Sequence, residues 1–177
     1  AGVNPCAEEP LPAGGSCLLG SLNLAAFVDE DEWGPKFAFE DFEDAVELAV
    51  VALNDVLDEG LPLHPLEEQR KSVADWRQIG LGIFGLADML IQLGCKYGSR
   101  DAKILCHKIA TTMATAALRS SAKLAAEFGA YPKFNKDAVM SSRFFNEHFD
   151  DETWNLTDAF GLRNSQLLTI APTGSLS

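Results

Sequence analysis

Asp41-Phe-Glu-Asp-Ala-Val-Glu-Leu-Ala-Val-Val-Ala-Leu-Asn-Asp-Val-Leu-Asp-Glu-Gly60 is the stretch that decides the class of the fold. Phe42, Val46, Ala49, Leu53, Val56 and Leu57 recur at steps of three and four, the spacing that gathers side chains on one face of an α-helix. Acids fill the first turn, where they complement the positive end of the helix dipole, and Gly60 stands where a helix ends. Beyond the turn Leu61-Pro-Leu-His-Pro65, the pattern predicts a short helical segment over 66–72 and a longer helix over 76–93 closed by Gly94. The longest helix is expected over 102–128, with Ser99 as its N-cap and Gly129 as its stop. At 1.5 Å per residue it would reach roughly 45 Å. A loop is expected over 131–135, with shorter helices over 137–149 and 153–160.

Extended structure is expected only toward the two ends. Residues 1–28 are rich in Pro, Gly and small side chains, and 18–28 read as a strand or extended segment followed by an irregular turn. Residues 166–170 read as a short buried strand leading into Ala171-Pro172-Thr173-Gly174. The chain is therefore expected to be mainly α, a helical block over 29–165 between extended ends, with no internal repeat and no low-complexity tract.

Composition narrows the function classes. The 177 residues are 47% hydrophobic and 23% charged, as in an ordinary globular protein. No apolar run approaches the roughly 18 residues that span a bilayer, so a membrane reading is set aside, and no secretory leader is visible. Lys and Arg number 14 against 26 Asp and Glu, a net charge of −12. Without a basic run, such a surface repels a phosphate backbone, so nucleic-acid binding is not expected. The acidic runs at 29–32, 40–47 and 147–152 read as solvated loops and helix starts.

Cys6, Cys17, Cys95 and Cys106 lack the spacing of a zinc or thioredoxin-type motif, and His64, His107 and His148 suggest no shared site. A reducing, cytoplasmic setting is the expectation, with no metal site. The ends of the chain read as those of a piece of a longer protein. Cys95 and Cys106 repeat the Cys6–Cys17 interval, but Cys106 lies in an apolar-patterned helix where a free Cys reads as a small buried hydrophobe, so the pair reads as structural. Gly80-Leu-Gly-Ile-Phe-Gly85 satisfies a dinucleotide fingerprint, yet it follows a helix-like stretch instead of a strand, so close backbone packing between helices is the expectation.

Two short strings can carry chemistry. In Asn4-Pro5-Cys6-Ala7-Glu8, an extended backbone would set an amide, a thiol and a carboxylate on one side at a spacing of roughly 6.6 Å. That set offers an anchor, a sulfur able to act as nucleophile, ligand or radical, and a base. In Ala171-Pro172-Thr173-Gly174-Ser175, Gly174 would let the backbone turn with exposed amides while Thr173 and Ser175 add hydroxyls, the makings of an anion nest.

The longer string 4–24, Asn-Pro-Cys-Ala-Glu-Glu-Pro-Leu-Pro-Ala-Gly-Gly-Ser-Cys-Leu-Leu-Gly-Ser-Leu-Asn-Leu, resembles the finger-loop region of the ribonucleotide reductase catalytic subunit, particularly its adenosylcobalamin-dependent class. Arg77-Gln-Ile-Gly-Leu-Gly-Ile-Phe-Gly-Leu-Ala-Asp-Met-Leu90 and Thr169-Ile-Ala-Pro-Thr-Gly-Ser-Leu-Ser177 resemble two further stretches of that family, in the same order. The resemblance covers essentially the whole chain. It implies a ten-stranded α/β barrel, of which this would be mainly the helical part: finger loop and extended segment over 1–28, helical block over 29–165, strand and phosphate loop over 166–177, all one piece of a larger catalytic domain.

By the same resemblance, Cys6 matches the cysteine that becomes a thiyl radical and abstracts the ribose 3′ hydrogen. Glu8 matches the carboxylate that takes the 3′-hydroxyl proton, and Asn4 the amide that hydrogen-bonds substrate. Cys17 matches one of two redox cysteines, its partner being expected upstream of this chain. Residues 171–175 match the phosphate-binding loop. The implied cofactor is adenosylcobalamin, held mostly by parts outside these residues. The implied partners are a ribonucleotide and an external dithiol such as thioredoxin, with a homodimeric parent enzyme as one arrangement. The 177 residues alone are expected to be inactive. Alternatives are a reductase large subunit served by a separate radical-generating subunit, a non-catalytic acidic helical interaction module, and a thiol-redox or metal-binding protein using Cys6 and Cys17. Diphosphate and triphosphate substrates both stay open.

Overall fold

The computed structural model describes residues 2–176, with Glu147 and His148 described by their backbone alone. The expected role of Ser177 and the surroundings of the His148 side chain lie outside the described residues. A hairpin of β1 (Gly2–Val3) and β2 (Pro10–Leu11) opens the chain. β3 (Leu18–Asn23) follows, then a 3-10 turn over Leu24–Phe27 and a second hairpin of β4 (Val28–Asp31) and β5 (Gly34–Phe37). Phe27, Phe37 and Phe42 meet edge to face or tilted at 5.2–6.2 Å between ring centres and seat that hairpin on the core.

The expected helices over 41–60 and 102–128 are present as α1 (Phe39–Gly60) and, further along, a helix over Arg100–Phe128. Between them come α2 (Glu67–Trp76), β6 (Ile79–Phe84), α3 (Leu86–Gln92), and then that long helix, α4. Ser99 caps α4 by accepting from the Ala102 N–H at 3.1 Å, and Gly129 ends it at a φ of 84°. The helix expected over 137–149 is two, α5 (Lys136–Met140) and α6 (Arg143–His148), because Ser142 turns its hydroxyl to the Phe145 N–H and starts a new helix there. α7 (Asp151–Phe160) completes the set. Phe42, Val46, Val50 and Leu57 of α1 are buried, and Ala116, Ala117, Ser121 and Ala122 of α4 present a small-residue face that lets the two helices pack closely.

Residues 76–93 depart from expectation. They are not one helix: β6 runs through the middle, parallel to β3, with Leu18 opposite Ile79 and Asn23 opposite Phe84. Along its other edge lies the segment 166–169, joined by Leu81 N–H to the Leu167 carbonyl at 2.8 Å and Thr169 N–H to the Leu81 carbonyl at 3.1 Å. The expected buried strand at 166–170 thus takes the form of an extended edge making a single parallel bridge. Ile79-Gly-Leu-Gly-Ile alternates with period two: Ile79 and Leu81 are 0% and 1% exposed, while the glycines form the opposite face. A Cβ on Gly80 would lie 2.6 Å from Thr169 Cγ2, 2.7 Å from Leu19 Cδ2 and 2.9 Å from Cys17 Sγ, and one on Gly82 would run into the Thr169 carbonyl. Close backbone approach is therefore real, between strands and not between helices. The first two glycines of the dinucleotide-like string sit inside the strand, so it makes no phosphate-binding turn.

A buried polar network fixes where this strip begins. Asn54 and Asn164 exchange amide hydrogen bonds at 3.1 and 3.0 Å. Arg77, left-handed at a φ of 46° and 4% exposed, donates to Asn54 Oδ1 at 3.1 Å and grips Asp58 with two bonds of 2.5 and 2.9 Å. Asn164 also donates to the Arg77 carbonyl at 2.9 Å and accepts from Ser121 Oγ at 3.0 Å. Unpartnered, each of these groups would destabilise the core; together they pin α1, α4, the start of β6 and the run into 166–176 to one another.

Candidate active site

The hairpin bearing Asn4, Cys6 and Glu8 is closed by its own backbone and the Asn4 side chain. The Asn4 N–H donates to the Glu9 carbonyl and the Glu9 N–H to Asn4 Oδ1, both at 3.1 Å, while the Ala7 N–H donates to the Asn4 carbonyl at 2.9 Å. That last bond makes 4–7 a β-turn with Pro5 at its second position, the place its fixed φ suits, and Ala7 follows at a φ of 62°. The extended arrangement expected for residues 4–8 is therefore absent. Pro5 bends the chain, Cys6 stands exposed at the tip, and Asn4 spends its carbonyl oxygen holding the loop, which leaves its NH2 to offer elsewhere.

Three long-range bonds fasten this hairpin to the parallel strip. Thr169 Oγ1 donates to the Glu8 carbonyl at 3.1 Å, and the side-chain amides of Gln78 and Gln166 both donate to the Pro10 carbonyl, at 3.2 and 2.9 Å. The result is a cleft of about 320 Å³ lined by Cys6 and Glu8, by Gly20 and Ser21 of β3, and by residues 171–175. Both Glu8 carboxylate oxygens are shielded and accept no hydrogen bond, so the group at the cleft wall holds acceptor capacity that a ligand hydroxyl would fill.

Ala171, Pro172, Thr173, Gly174 and Ser175 form a turn closed by the Leu176 N–H on the Thr173 carbonyl at 3.0 Å. Thr173, not Gly174, carries the left-handed backbone of this turn, at a φ of 52°. A β-branched residue is strained there, and such strain is characteristic of ligand-facing loops.

Asn4 and Cys17 are not among the cleft-lining residues. Cys17 lies half-buried just before β3, on the glycine face of β6, with its thiol donating to the Leu18 carbonyl at 3.6 Å. Beside it is Glu9, which sequence reasoning passed over. Glu9 is 2% exposed and neither carboxylate oxygen has a hydrogen-bond partner. Burial pushes its carboxyl above the usual range; the Cys17 thiol pulls it back and Glu8 adds to the rise. Burial likewise drives the Cys17 thiol well up, with the Glu9 and Glu8 carboxylates adding to it. Adjacent acids before a proline give no sign that the second turns inward.

Cys6 and Cys17 are both free thiols. Cys95 packs against the core 3.8 Å from Ser99 Oγ, Cys106 is half-buried, and His107 is exposed. Among the described residues no group of three or more His, Cys, Asp or Glu side chains could hold a metal, and no helix is long and apolar enough to cross a membrane. A larger cavity of about 440 Å³, walled by Leu118, Tyr131, Phe145 and Leu162, is apolar and distant in character from the thiol cleft.

Comparison with known proteins finds similarity to ribonucleotide reductases. It is 34% identical over 175 residues to a vitamin B12-dependent ribonucleoside-diphosphate reductase of Thermoplasma acidophilum, covering 99% of this chain and 20% of the relative. A reductase of the same description from Mycobacterium tuberculosis is also 34% identical, with 99% and 22% covered. A ribonucleoside-diphosphate reductase large subunit of African swine fever virus is 35% identical over 135 residues, 76% of this chain and 17% of the relative. The sequence model of the ribonucleotide reductase barrel domain matches residues 1–177, and the chain belongs to that family. It spans about a fifth of the length of the curated relatives it matches.

Proposed function

We propose that these residues are the substrate-activating part of a cobalamin-dependent ribonucleotide reductase acting on ribonucleoside diphosphates, and that the strip of β3, β6 and 166–169 belongs to the wall of a ten-stranded α/β barrel. The observation that carries the reading is the single cleft in which an exposed thiol, an unsatisfied carboxylate and a strained hydroxyl-bearing loop meet. The diphosphate and the cobalamin come from the names of the relatives in Thermoplasma and Mycobacterium.

Adenosylcobalamin would supply one-electron chemistry, and Cys6, exposed at the tip of its turn, is the residue here open to it. The cobalamin itself would be held mostly by other parts of the enzyme. The Cys6 thiyl takes the hydrogen from the ribose 3′ carbon, forming S–H and leaving a carbon radical. Glu8 accepts the 3′-hydroxyl proton as the 2′ oxygen, taking a proton from one of the redox thiols, departs as water, and the Asn4 NH2 orients the same sugar. Cys17 and a second cysteine become a disulfide, giving two electrons and two protons, one proton to the departing water and the other to the 2′ carbon, after which Glu8 returns its proton to the 3′ oxygen and Cys6 its hydrogen to the 3′ carbon. Residues 171–175 hold the phosphates through backbone amides and the hydroxyls of Thr173 and Ser175.

The reading implies a soluble, cytoplasmic enzyme re-reduced by an external dithiol such as thioredoxin. The test is reduction of a ribonucleoside diphosphate by the complete polypeptide with adenosylcobalamin and a dithiol. Formation of deoxynucleotide that disappears when either cofactor or dithiol is withheld is expected. Deoxynucleotide formation without cobalamin would overturn the cofactor assignment.

A further inference from the structure

Among the described residues no hydrogen bond holds the Cys6 side chain, which stands exposed on a turn that Asn4, Ala7 and Glu9 close among themselves. Its place in the cleft lining is therefore set by how the whole hairpin is seated. The Asn4 N–H lies on the Glu9 carbonyl, so at the next pair, Val3 and Pro10, the Pro10 carbonyl points away from β1. Pro10 has no N–H, and that outer edge cannot extend into a backbone ladder. Among the described residues no backbone bond joins it to β6 or to 166–169; side-chain donors reach it instead. Gln78 and Gln166 stand side by side at the start of the parallel strip, where the Ile79 N–H donates to the Gln166 carbonyl at 3.1 Å. Gln78 Nε2 donates to Gln166 Oε1 and, at 3.2 Å, to the Pro10 carbonyl, and Gln166 Nε2 donates to that same carbonyl at 2.9 Å. With its oxygen taken by Gln78, the Gln166 amide turns its NH2 to Pro10, and two donors fill the two lone pairs of one carbonyl. Gln78 is 5% exposed, so little water competes for its amide.

We propose that Gln78 and Gln166 are positioning residues for hydrogen abstraction: their paired amides, acting through the Pro10 carbonyl, set where the Cys6 thiol stands relative to a ribose bound in the cleft. The inference rests on the reading of Cys6 as the hydrogen-abstracting thiol. Neither glutamine lines the cleft, so their effect passes through the hairpin and not through a contact with the sugar. Reacting atoms must meet within roughly 3–3.5 Å, and about 1 Å of misplacement costs on the order of 10²-fold in rate. Nucleotide binding depends on a different attachment. The loop at 171–175 follows a segment held by the backbone bonds between Leu81 and both Leu167 and Thr169, which loss of the two amides leaves in place.

The experiment uses the complete reductase with adenosylcobalamin and a dithiol, and the variants Gln78→Met, Gln166→Met and the two combined, which keep the side-chain length and remove the donor. With a 3′-tritiated ribonucleoside diphosphate, kcat and KM for tritium release are measured beside hydrogen exchange of the segment 2–11. Each single variant leaves one donor on the Pro10 carbonyl and should lose severalfold in kcat. The double variant should lose on the order of 10²-fold, with KM within about twofold throughout. Exchange across 2–11 should quicken in the same order while that of α1 and α4 is unchanged. A double variant whose kcat stays within about twofold, or a loss carried by KM, overturns the proposal. If the double variant does not fold, the single variants decide by the same two criteria. If no variant folds, or if exchange quickens across α1 and α4 as well, the amides serve the fold at large and the proposal is equally overturned. An unaltered enzyme that releases no tritium, or a Cys6→Ser enzyme that does, would instead refute the reading of Cys6, a separate failure.

Discussion

Thr169 reaches across 161 residues of chain to donate its hydroxyl to the carbonyl of Glu8 at 3.1 Å. Through that bond the segment leading to the 171–175 loop is tied to the hairpin that carries Cys6, which joins two parts of the cleft lining. Thr169 is buried, and its methyl group fills the space that Gly80 leaves open.

Thr169→Val keeps that shape and removes the hydroxyl, leaving the Glu8 carbonyl unsatisfied, a loss of about 1–3 kcal/mol where the group stays buried. Because the bond sets the position of Glu8 without touching the sugar, the complete enzyme should lose about tenfold in kcat with little change in KM. Thr169→Ser, which restores the donor, should recover most of it. A loss in the serine variant with none in the valine variant would show instead that packing of the methyl at Gly80 is what counts.

Gly80→Ala would set a methyl group against Thr169, Leu19 and Cys17 at 2.6–2.9 Å. Overpacking of this kind destabilises by about 1–3 kcal/mol, and the unfolding midpoint should fall accordingly. Gly82→Ala meets a backbone carbonyl instead of movable side chains and should fall further. An unchanged midpoint in both would mean that β6 and 166–169 do not approach this closely.

Local signals were legible in the sequence and long-range ones were not. Ser99 and Gly129 mark the ends of α4 because a cap is a contact between near neighbours in the chain. β6 was hidden because Ile79, Ile83, Leu86 and Leu90 also satisfy a helical spacing. What overrides it is pairing with β3 on one edge and 166–169 on the other, neither visible from within 76–93. Cys6, Glu8 and 171–175 could be singled out from their residue types, and the fold brings them to one cleft. The turn at Pro5 was present as an Asn-Pro signal that the extended reading overlooked. Glu9 was invisible, since whether a carboxylate is buried depends on what the hairpin is laid against.

Glu9 also gives a pH signature to folding. Its carboxyl is raised above 4.5 in the folded chain, chiefly by burial, while the unfolded chain titrates at the ordinary value. The folded state therefore binds more protons above that pH, and stability falls as pH rises through 4.5 until the folded group has also ionised. Other carboxylates run the opposite way: Asp58, held down by Arg77, contributes stability that is lost as pH falls below 3.8. The difference between the unaltered chain and Glu9→Gln isolates the Glu9 contribution. That difference should be flat at low pH and move in favour of the variant as pH rises from 4.5; a difference independent of pH would show that Glu9 is solvated.

Cys6 and Cys17 sit in different surroundings, one exposed at a turn beside the cleft and the other half-buried next to Glu9, and their variants should fail differently in the complete enzyme. Cys6→Ser should abolish hydrogen abstraction, because a hydroxyl is a far poorer radical carrier than a thiol. Cys17→Ser leaves Cys6, Glu8 and the loop at 171–175 in place, so abstraction should begin while reduction at the 2′ carbon stalls. With 3′-tritiated substrate, Cys6→Ser should release neither tritium nor free base. Cys17→Ser should release both, since the unreduced sugar radical decomposes, and should form no deoxynucleotide over repeated turnovers. Tritium release by Cys6→Ser, or sustained turnover by Cys17→Ser, would reassign the radical and the electron-donating roles between the two thiols.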